Sequence, residues 1–171
     1  MMVSYIALLR AVNVGGTGKL PMADLNSICV QVGFTKVETY IASGNVVFMS
    51  RANAASAKAI LEARLRAYAG KPVGVVIRTA NELSAIVEQN PFRSGDPRHT
   101  YVIFFDEPPP YNALERATGW VDEDMRLGKR EVYVAYPNGM GRSKLRIPAA
   151  KVGTARNLNT VTALLELASS R

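Results

Sequence analysis

The sequence is poor in the residues that build disulfides and metal sites. It contains one cysteine, Cys29, and one histidine, His99, in 171 residues. A single cysteine cannot form an internal disulfide, and one cysteine with one histidine cannot supply the ligands of the common zinc sites. We therefore predict no metal centre. Because no complete cofactor-binding motif is present, we predict no cofactor either.

Long apolar runs are absent as well. No stretch approaches the length of about 18 apolar residues that a membrane-spanning helix requires. The opening residues, MMVSYIALLRAVNVGG, lack a basic leader and have the pattern of a strand. We therefore expect a cytoplasmic protein with no membrane partner. Since 48% of the residues are hydrophobic, the chain can bury a core as one domain or as two small interlocked ones.

Acidic residues are scarce in one segment. The chain carries a net charge of +7, and between residues 126 and 156 eight basic residues accompany a single acid, Glu131. Clustered lysine and arginine are typical of proteins that bind nucleic acids or phosphorylated ligands, although a solvated loop gives the same pattern. The basic residues of this segment are Arg126, Lys129, Arg130, Arg142, Lys144, Arg146, Lys151 and Arg156.

The first half of the chain alternates between strand and helix patterns. Short apolar segments predict strands at residues 4–9, 36–40, 45–49 and 71–78. Helical spacing predicts one helix that begins at Pro21 and ends before Gly33, and another over residues 54–69. The resulting order, βαββαβ, is the ferredoxin-like arrangement, in which helices cover one face of an antiparallel sheet.

Both of these helices have an apolar face. In the first helix this face is formed by Leu25, Ile28, Cys29 and Val32, so Cys29 is expected in the core. In the second helix the expected inward side chains are Ile60, Leu61, Leu65 and Tyr68. Glu62 and Arg66 on its outer side are expected to form an ion pair, because residues four apart are neighbours on a helix.

The second half of the chain has a similar order of elements. Thr79 and Glu82 predict a capping box that starts a linking helix. Strands at 101–105 and 131–136, a short helix at 111–117, an ambiguous segment at 120–127 and a last helix from Asn157 or Asn159 follow. The predicted fold class is α+β, with two similar, intertwined ferredoxin-like units at residues 1–90 and 91–171 that pack as a single compact body. No repeated residue pattern is apparent.

A glycine-rich segment, VNVGGTGKL, joins the first strand to the first helix. Gly15 and Gly16 would let an anion approach the backbone N–H groups and the helix N-terminus, and Lys19 would add a positive charge. The segment is not a Walker A loop, since that motif needs glycine in place of Asn13 and serine or threonine in place of Leu20. A flexible connector is the alternative interpretation.

Two side chains are candidates for catalysis. Ser43 lies in the turn IASGN between two predicted strands, but a nucleophile elbow would need glycine in place of Ile41 and a helix after the turn. His99 is the one general base near neutral pH and lies in a polar linker. An enzyme that uses Ser43 or His99 is therefore the least supported function. The acidic residues at 122–124 are interpreted as a solvated turn.

The segment before the last helix concentrates polar and basic residues that suit phosphate or carboxylate groups. Asn157 could instead cap the helix, and the two roles can coexist. The residues concerned are Arg142, Ser143, Lys144, Arg146, Lys151, Thr154, Arg156 and Asn157.

Three segments, YIALLRAVNVGGTGKLPMADL, TYIASGNVVF and GTARNLNTVTALLEL, together resemble a bacterial family known as domain of unknown function 1697. They lie at the start, middle and end of the chain. Members of that family usually have glycine where this chain has Ala11 and tryptophan where it has Leu158. The resemblance implies two intertwined α/β units with pseudo-twofold symmetry, and it implies no established activity.

We expect the polar positions of these segments to form one shared site, in which the loops of the first unit and the basic segment of the second meet in a cleft. The leading hypothesis is that this cleft binds an anionic small molecule such as a nucleotide. The alternative is a nucleic-acid-binding module that uses residues 126–156. The predicted ligand-binding residues are Arg10, Asn13, Gly15, Gly16, Lys19, Ser43, Asn45, Lys144, Arg156 and Asn157.

Overall fold

The computed structural model describes residues 1–10 and 19–171, which form two units. The first unit comprises residues 1–84 and 163–171, and the second comprises residues 85–162. Each unit has one four-stranded antiparallel sheet. The predicted α+β fold class is confirmed. None of the four α-helices in the described residues is long and apolar enough to cross a membrane.

The sheet of the first unit has the strand order β2-β3-β1-β4. Two helices, α1 (Met22–Gln31) and α2 (Ala54–Ala69), connect its strands. The strand order and the βαββαβ element order agree with the ferredoxin-like prediction. The strands are β1 (Val3–Leu9), β2 (Thr35–Thr39), β3 (Asn45–Ser50) and β4 (Val75–Thr79).

The core of the first unit follows from the alternation of side chains along β1. Tyr5, Ala7 and Leu9 point to the face that α1 and α2 cover, where the Phe34 and Phe48 rings stack with centroids 4.0 Å apart. The intervening residues of β1 are also buried. Burial on both faces explains why β1 has a continuous apolar sequence rather than an alternating one.

Helix α2 has the bounds that the sequence predicts, but its buried face differs. The Asn53 side chain caps its first turn by accepting a hydrogen bond from Ser56 N (2.9 Å), and Gly70 ends it with φ +73°. Leu61 and Leu65 are buried as expected, whereas the inward placement of Ile60 and Tyr68 is wrong, since 40% and 44% of these residues are exposed.

The predicted Glu62–Arg66 ion pair is also wrong. Glu62 is instead bonded to Lys58 (2.6 Å) and accepts a hydrogen bond from the Val75 backbone N–H (2.9 Å). The carboxylate therefore connects α2 to the start of β4. Tyr68 lies at the surface because its hydroxyl donates to the Asp24 carboxylate on α1 (2.6 Å).

The sheet of the second unit has the strand order β6-β7-β5-β8, which repeats the order of the first sheet. Two further helices, α3 (Ala80–Glu88) and α4 (Leu158–Ser169), follow β4 and β8 directly. The strands are β5 (Thr100–Phe104), β6 (Asp124–Leu127), β7 (Glu131–Ala135) and β8 (Thr154–Asn157).

The short helix predicted at residues 111–117 is wrong. Hydrogen bonds from Ala113 N to Pro110 O, Glu115 N to Asn112 O and Ala117 N to Leu114 O define separate turns. A helix of two turns is not stable without strong packing, and three consecutive prolines precede this one. The connection between β7 and β8 contains 3₁₀ helices at Met140–Arg142 and Pro148–Val152 rather than an α-helix.

Strand β8 is missing from the sequence-based prediction. It pairs with β5 alone, and its sequence, TARN, lacks the apolar residues by which strands are recognised. The polar residues Thr154 and Arg156 nevertheless are buried. The basic segment therefore ends in a strand and not in an open loop.

The registers of the two sheets are equivalent. Ile6 of β1 pairs with Val47 and Arg78, and Val102 of β5 pairs with Tyr133 and Arg156. This equivalence aligns residues 78–88, RTANELSAIVE, with residues 156–166, RNLNTVTALLE, and four of these eleven positions are identical. The expectation that no residue pattern repeats is therefore wrong, and the alignment supports the predicted duplication.

Candidate functional site

Three backbone segments meet where β1 ends. Leu9 N donates to Gly44 O in the turn before β3, and Arg10 N donates to Gly74 O just before β4, both at 2.9 Å. We call this part of the first unit the β1 rim and define it by Arg10, residues 41–45 and residues 71–74. The rim brings together three of the predicted binding residues, Arg10, Ser43 and Asn45.

Gly74 makes room for the side chain of Arg10. A Cβ atom at position 74 would lie 3.1 Å from both Cδ and Nη1 of Arg10. This separation is shorter than ordinary van der Waals contact, so a larger residue would displace the arginine. The half-buried Arg10 side chain therefore lies directly against the backbone at the rim.

The turn between β2 and β3 has unusual backbone geometry. Gly44 has φ +83°, which glycine adopts without cost, but Ile41 has φ +49°, which is rare for a β-branched residue. The Ile41 side chain is 53% exposed, so burial of an apolar group does not explain the conformation. Strain of this kind is concentrated at ligand-binding sites, and its presence marks the turn as a candidate.

Asn45 and Ser43 shape this turn. Asn45 is fully buried, and its Nδ2 donates to Tyr40 O (2.9 Å) and to Ser43 Oγ (2.8 Å). The buried amide thus fixes the conformation of the turn, in which Ser43 is half-buried. Asn45 is therefore placed to position Ser43 rather than to contact a ligand itself.

Residues 11–18, which include most of the glycine-rich segment and the predicted binding residues Asn13, Gly15 and Gly16, lie outside the described residues. Lys19, near the end of this segment, is exposed. The following helix α1 begins after Pro21, which provides no side-chain hydrogen bond to the first turn. Among the described residues, no side chain caps the helix N-terminus close to Lys19.

The equivalent rim of the second unit is built differently. Phe105 N donates to Arg130 O (3.0 Å), which matches the bond from Leu9 to Gly44, so Arg130 takes the position of Gly44. The Arg130 side chain extends across this rim and donates from Nη1 to Asp106 O (3.3 Å). Gly44, at the equivalent position of the β1 rim, has no side chain that could cross the rim in this way.

A separate cleft of about 440 Å³ lies within the second unit. We call it the second-unit cleft. Thr118 and Arg146 hold its two walls together through reciprocal backbone hydrogen bonds of 2.9 and 2.8 Å. The polar and charged side chains that line it are Asp122, Glu123, Asn138, Arg142, Ser143 and Lys144.

Glu123 organises one wall of this cleft. Its Oε1 accepts hydrogen bonds from the backbone N–H groups of Val121 (2.7 Å) and Asp122 (3.1 Å), and its Oε2 accepts one from Ser143 Oγ. These bonds, with that from Ser143 the strongest, lower the pKa of Glu123 to about 2. The acidic residues are thus part of a structured turn.

Lys144 is the predicted binding residue that lies in this cleft, and Arg142 lies beside it. Both residues are exposed. Within the described part of the chain, neither side chain forms a hydrogen bond or an ion pair. The two carboxylates of the cleft instead accept hydrogen bonds from neutral donors, since Asp122 is bonded to the Asn138 amide.

Arg156 and Asn157 lie at the junction of β8 and α4. Arg156 is buried, and its Nη1 donates to Thr154 Oγ1 (2.6 Å) and Ala155 O (2.9 Å). Burial lowers the pKa of its guanidinium to about 10. Asn157 Oδ1 accepts a hydrogen bond from Thr160 N (2.9 Å) and so caps α4. We interpret both residues as structural, and ligand binding by them stays a prediction.

Arg78, which sequence reasoning missed, is the equivalent of Arg156. It is 2% exposed and donates from Nη1 to Ile77 O (3.0 Å). The next residue, Thr79, forms the predicted capping box with Glu82 through bonds of 2.8 and 3.1 Å. A signal was present in the sequence, since an arginine followed by asparagine three, alanine seven and glutamate ten residues later occurs at both 78 and 156.

The two folded units differ in net charge, and the unit that contains the basic segment is not the more positive one. The second unit contains eleven basic and nine acidic residues, and the first contains ten basic and five acidic ones. In the basic segment, Arg126 pairs with Asp124, and Arg156 is buried. The first unit therefore carries most of the net charge.

The remaining titratable candidates have ordinary structural surroundings. His99 precedes β5, and its backbone carbonyl accepts a hydrogen bond from Tyr136 N (2.8 Å). Cys29 is buried on α1, as predicted, and burial raises the pKa of its thiol to about 12. Among the described residues, no group of three or more histidine, cysteine or acidic side chains is arranged to hold a metal ion.

The profile of a protein family of unknown function, DUF1697, matches residues 2–133. The chain belongs to this family. The match includes the first two of the three segments that carry the resemblance, and the third lies beyond it. The chain also resembles the structure of the conserved bacterial protein SP0830 from Streptococcus pneumoniae, with a TM-score of 0.83 and 25% identity over 98% of this chain and 99% of that one. No curated protein matches.

Proposed function

We propose that this DUF1697 protein binds an anionic small molecule, such as a nucleotide, at the β1 rim. The observation that carries the proposal is the difference between the two equivalent rims. In the second unit the Arg130 side chain crosses the rim, whereas among the described residues of the first unit Gly44 places no side chain there and Gly74 makes room for Arg10 beside the backbone. Glycine at these two positions lets a ligand approach backbone and guanidinium groups together.

The charge of the first unit supports an anionic ligand. Its ten basic residues exceed its five acidic ones, and several of the acids have partners within the unit. Glu62 is bonded to Lys58, and Asp24 accepts a hydrogen bond from Tyr68. A positive surplus of this size attracts anions and raises their local concentration.

The geometry of the turn supports a binding role for Ser43 as well. The strained Ile41 and the buried Asn45 hold the half-buried Ser43 in the turn, close to where β1 ends. A hydroxyl that is fixed in this way can hydrogen-bond to a phosphate or carboxylate oxygen without a further loss of conformational entropy. Arg10 provides the charge, and Ser43 orients the ligand.

We propose that this binding takes place in the cytoplasm. The support is the use of cysteine, because the one cysteine is a buried thiol of raised pKa that acts as a core residue.

Isothermal titration with adenosine triphosphate and with inorganic phosphate tests the proposal. We expect saturable binding that weakens at least about tenfold in Arg10→Ala, because a charge-assisted hydrogen bond contributes roughly 1.5–3 kcal/mol. Arg10→Lys is expected to restore part of the affinity. Gly74→Ala is expected to weaken binding too, since the new Cβ displaces Arg10.

Arg51→Ala is the matched control, because Arg51 is an exposed cation of the same unit outside the rim. Thermal melting of each variant separates loss of binding from loss of folding. Equal affinity of the wild type and Arg10→Ala, or an absence of binding by both probes, overturns the proposal.

A further inference from the structure

Backbone contacts join the two walls of the second-unit cleft. Gly119 has φ +76°, and a Cβ atom there would lie 2.1 Å from the carbonyl oxygen of Lys144. The two walls therefore touch at a position that only glycine permits. Together with the reciprocal Thr118–Arg146 bonds, this contact fixes the distance between the segments that line the cleft. A cleft of about 440 Å³ is within the size range of small-molecule sites.

The cleft contains both carboxylates and cations. The two kinds of group differ in their hydrogen-bond partners. All three hydrogen bonds to the Glu123 side chain come from neutral donors of the cleft walls. This carboxylate therefore stabilises the wall of the cleft. Among the described residues, Arg142 and Lys144 have no such partners. The groups left to bind an anion are therefore these two cations.

The rest of the lining consists of hydrogen-bonding groups. Asp122 Oδ2 accepts from the Asn138 amide, and within the described residues its Oδ1 has no donor. Tyr136 also lines the cleft, and burial raises the pKa of its hydroxyl, so the hydroxyl stays protonated and can donate a hydrogen bond. Polar groups of this kind fix the orientation of a ligand in a pocket. A ligand that fits them carries several hydroxyl groups.

We infer that the second-unit cleft binds a phosphorylated polyol, such as a sugar phosphate, with its phosphate at Arg142 and Lys144 and its hydroxyl groups at Asp122, Asn138 and Tyr136. The inference is independent of the β1 rim, because none of these residues belongs to the rim. It differs from simple anion binding in that the polyol contributes to affinity.

Titrations in the Arg10→Ala background test this site without a contribution from the rim. The probes are glucose 6-phosphate, inorganic phosphate, glucose and phosphoethanolamine. We expect glucose 6-phosphate to bind at least about tenfold more tightly than inorganic phosphate, because the hydroxyl groups add hydrogen bonds. Glucose alone is expected to give no measurable heat.

Variants separate the two halves of the site. Lys144→Ala and Arg142→Ala are expected to reduce the affinity for both phosphates. Asp122→Ala is expected to lower the affinity for glucose 6-phosphate to that for inorganic phosphate, and Arg116→Ala, an exposed cation of the same unit outside the cleft lining, is expected to change neither. Equal binding of the two phosphates, tighter binding of phosphoethanolamine, or an unchanged affinity in Lys144→Ala overturns the inference.

Discussion

Arg78 and Arg156 occupy equivalent positions in the two sheets and make the same hydrogen bond. Each donates from Nη1 to the carbonyl oxygen of the residue before it, at 3.0 and 2.9 Å, and each is buried at the end of the strand that precedes a capped helix. A buried guanidinium is tolerated where its donors are satisfied. Burial of a guanidinium costs free energy. Its presence at equivalent positions of both sheets indicates that the two arginines have a structural role.

Replacement of either arginine by methionine is expected to lower the free energy of unfolding by roughly 1.5–3 kcal/mol, because hydrogen bonds from a charged group are lost. Urea denaturation measures the effect. Arg51→Met and Arg142→Met are the controls, since both residues are exposed, and they are expected to change stability by less than about 0.5 kcal/mol. If Arg78→Met and Arg156→Met unfold at the wild-type midpoint, the structural role is wrong.

The two caps that follow these arginines give a second prediction. Thr79→Ala removes a capping box, and Asn157→Ala removes the acceptor for Thr160 N. Each change is expected to reduce stability by about 1 kcal/mol. Thermal melts followed by circular dichroism measure this loss. Thr79→Ser and Asn157→Asp keep a capping oxygen, so equal losses in these variants and in the alanine variants would contradict the interpretation.

The elements that the sequence predicts correctly are those with local signals. Helix α2 has an asparagine cap at one end and Gly70 at the other, and α3 begins with a capping box. Strand β8 has no such signal, because its two buried side chains, Thr154 and Arg156, are polar. The segment forms a strand because it pairs with β5 in the folded chain. The composition of a segment does not show which strand it pairs with.

For the candidate site, the sequence indicated a polar turn but not the backbone geometry of that turn. The glycine and asparagine residues of the segment before β3 indicated a polar turn, and the turn is bonded to the end of β1 through Leu9 N and Gly44 O. The strain at Ile41 depends on the hydrogen bonds of the whole turn and has no sequence signal. Arg156 was predicted to bind a ligand because it lies in the basic segment, and the burial that results from its place in β8 has no signal in that segment.

The low pKa of Glu123 predicts a dependence of stability on pH. Its pKa is about 2 in the folded chain against the usual 4.5, so its contribution to stability is complete above about pH 4.5 and is lost as the pH falls toward 2. Glu123→Gln is expected to be less stable than the wild type at pH 7, and the difference is expected to vanish near pH 2. A difference that does not change with pH would contradict this assignment.

Asp96 is protonated over the same pH range as Glu123. Its contribution to the pH dependence of stability is therefore measured separately. The hydrogen bonds from Arg98 lower its pKa to about 2. Asp96→Asn in the Glu123→Gln background should therefore remove a further part of the acid dependence. Urea denaturation at several pH values measures both effects.

Nucleic-acid binding by residues 126–156 is expected to be weak. Arg126 pairs with Asp124, Arg156 is buried, and the second unit carries nine acidic residues against eleven basic ones. Fluorescence anisotropy with labelled DNA and RNA over a range of salt concentrations measures this binding. Tight binding that falls steeply with salt, and that weakens in Lys129→Ala, would instead favour a nucleic-acid-binding module.

Gly119 and Gly141 form a matched pair for testing the wall of the second-unit cleft. A Cβ atom at Gly119 would lie 2.1 Å from the Lys144 carbonyl oxygen, and the residue has φ +76°, whereas nothing lies within 4 Å of a Cβ atom at Gly141. Gly119→Ala is therefore expected to reduce the free energy of unfolding by more than about 1 kcal/mol, and Gly141→Ala to leave it unchanged or slightly higher. Urea denaturation compares the two. Gly119→Ala should also weaken binding of glucose 6-phosphate, because the backbone at Gly119 and Lys144 must separate to admit the methyl group. If Gly119→Ala changes neither the free energy of unfolding nor this affinity, the walls are not held together as the structure describes.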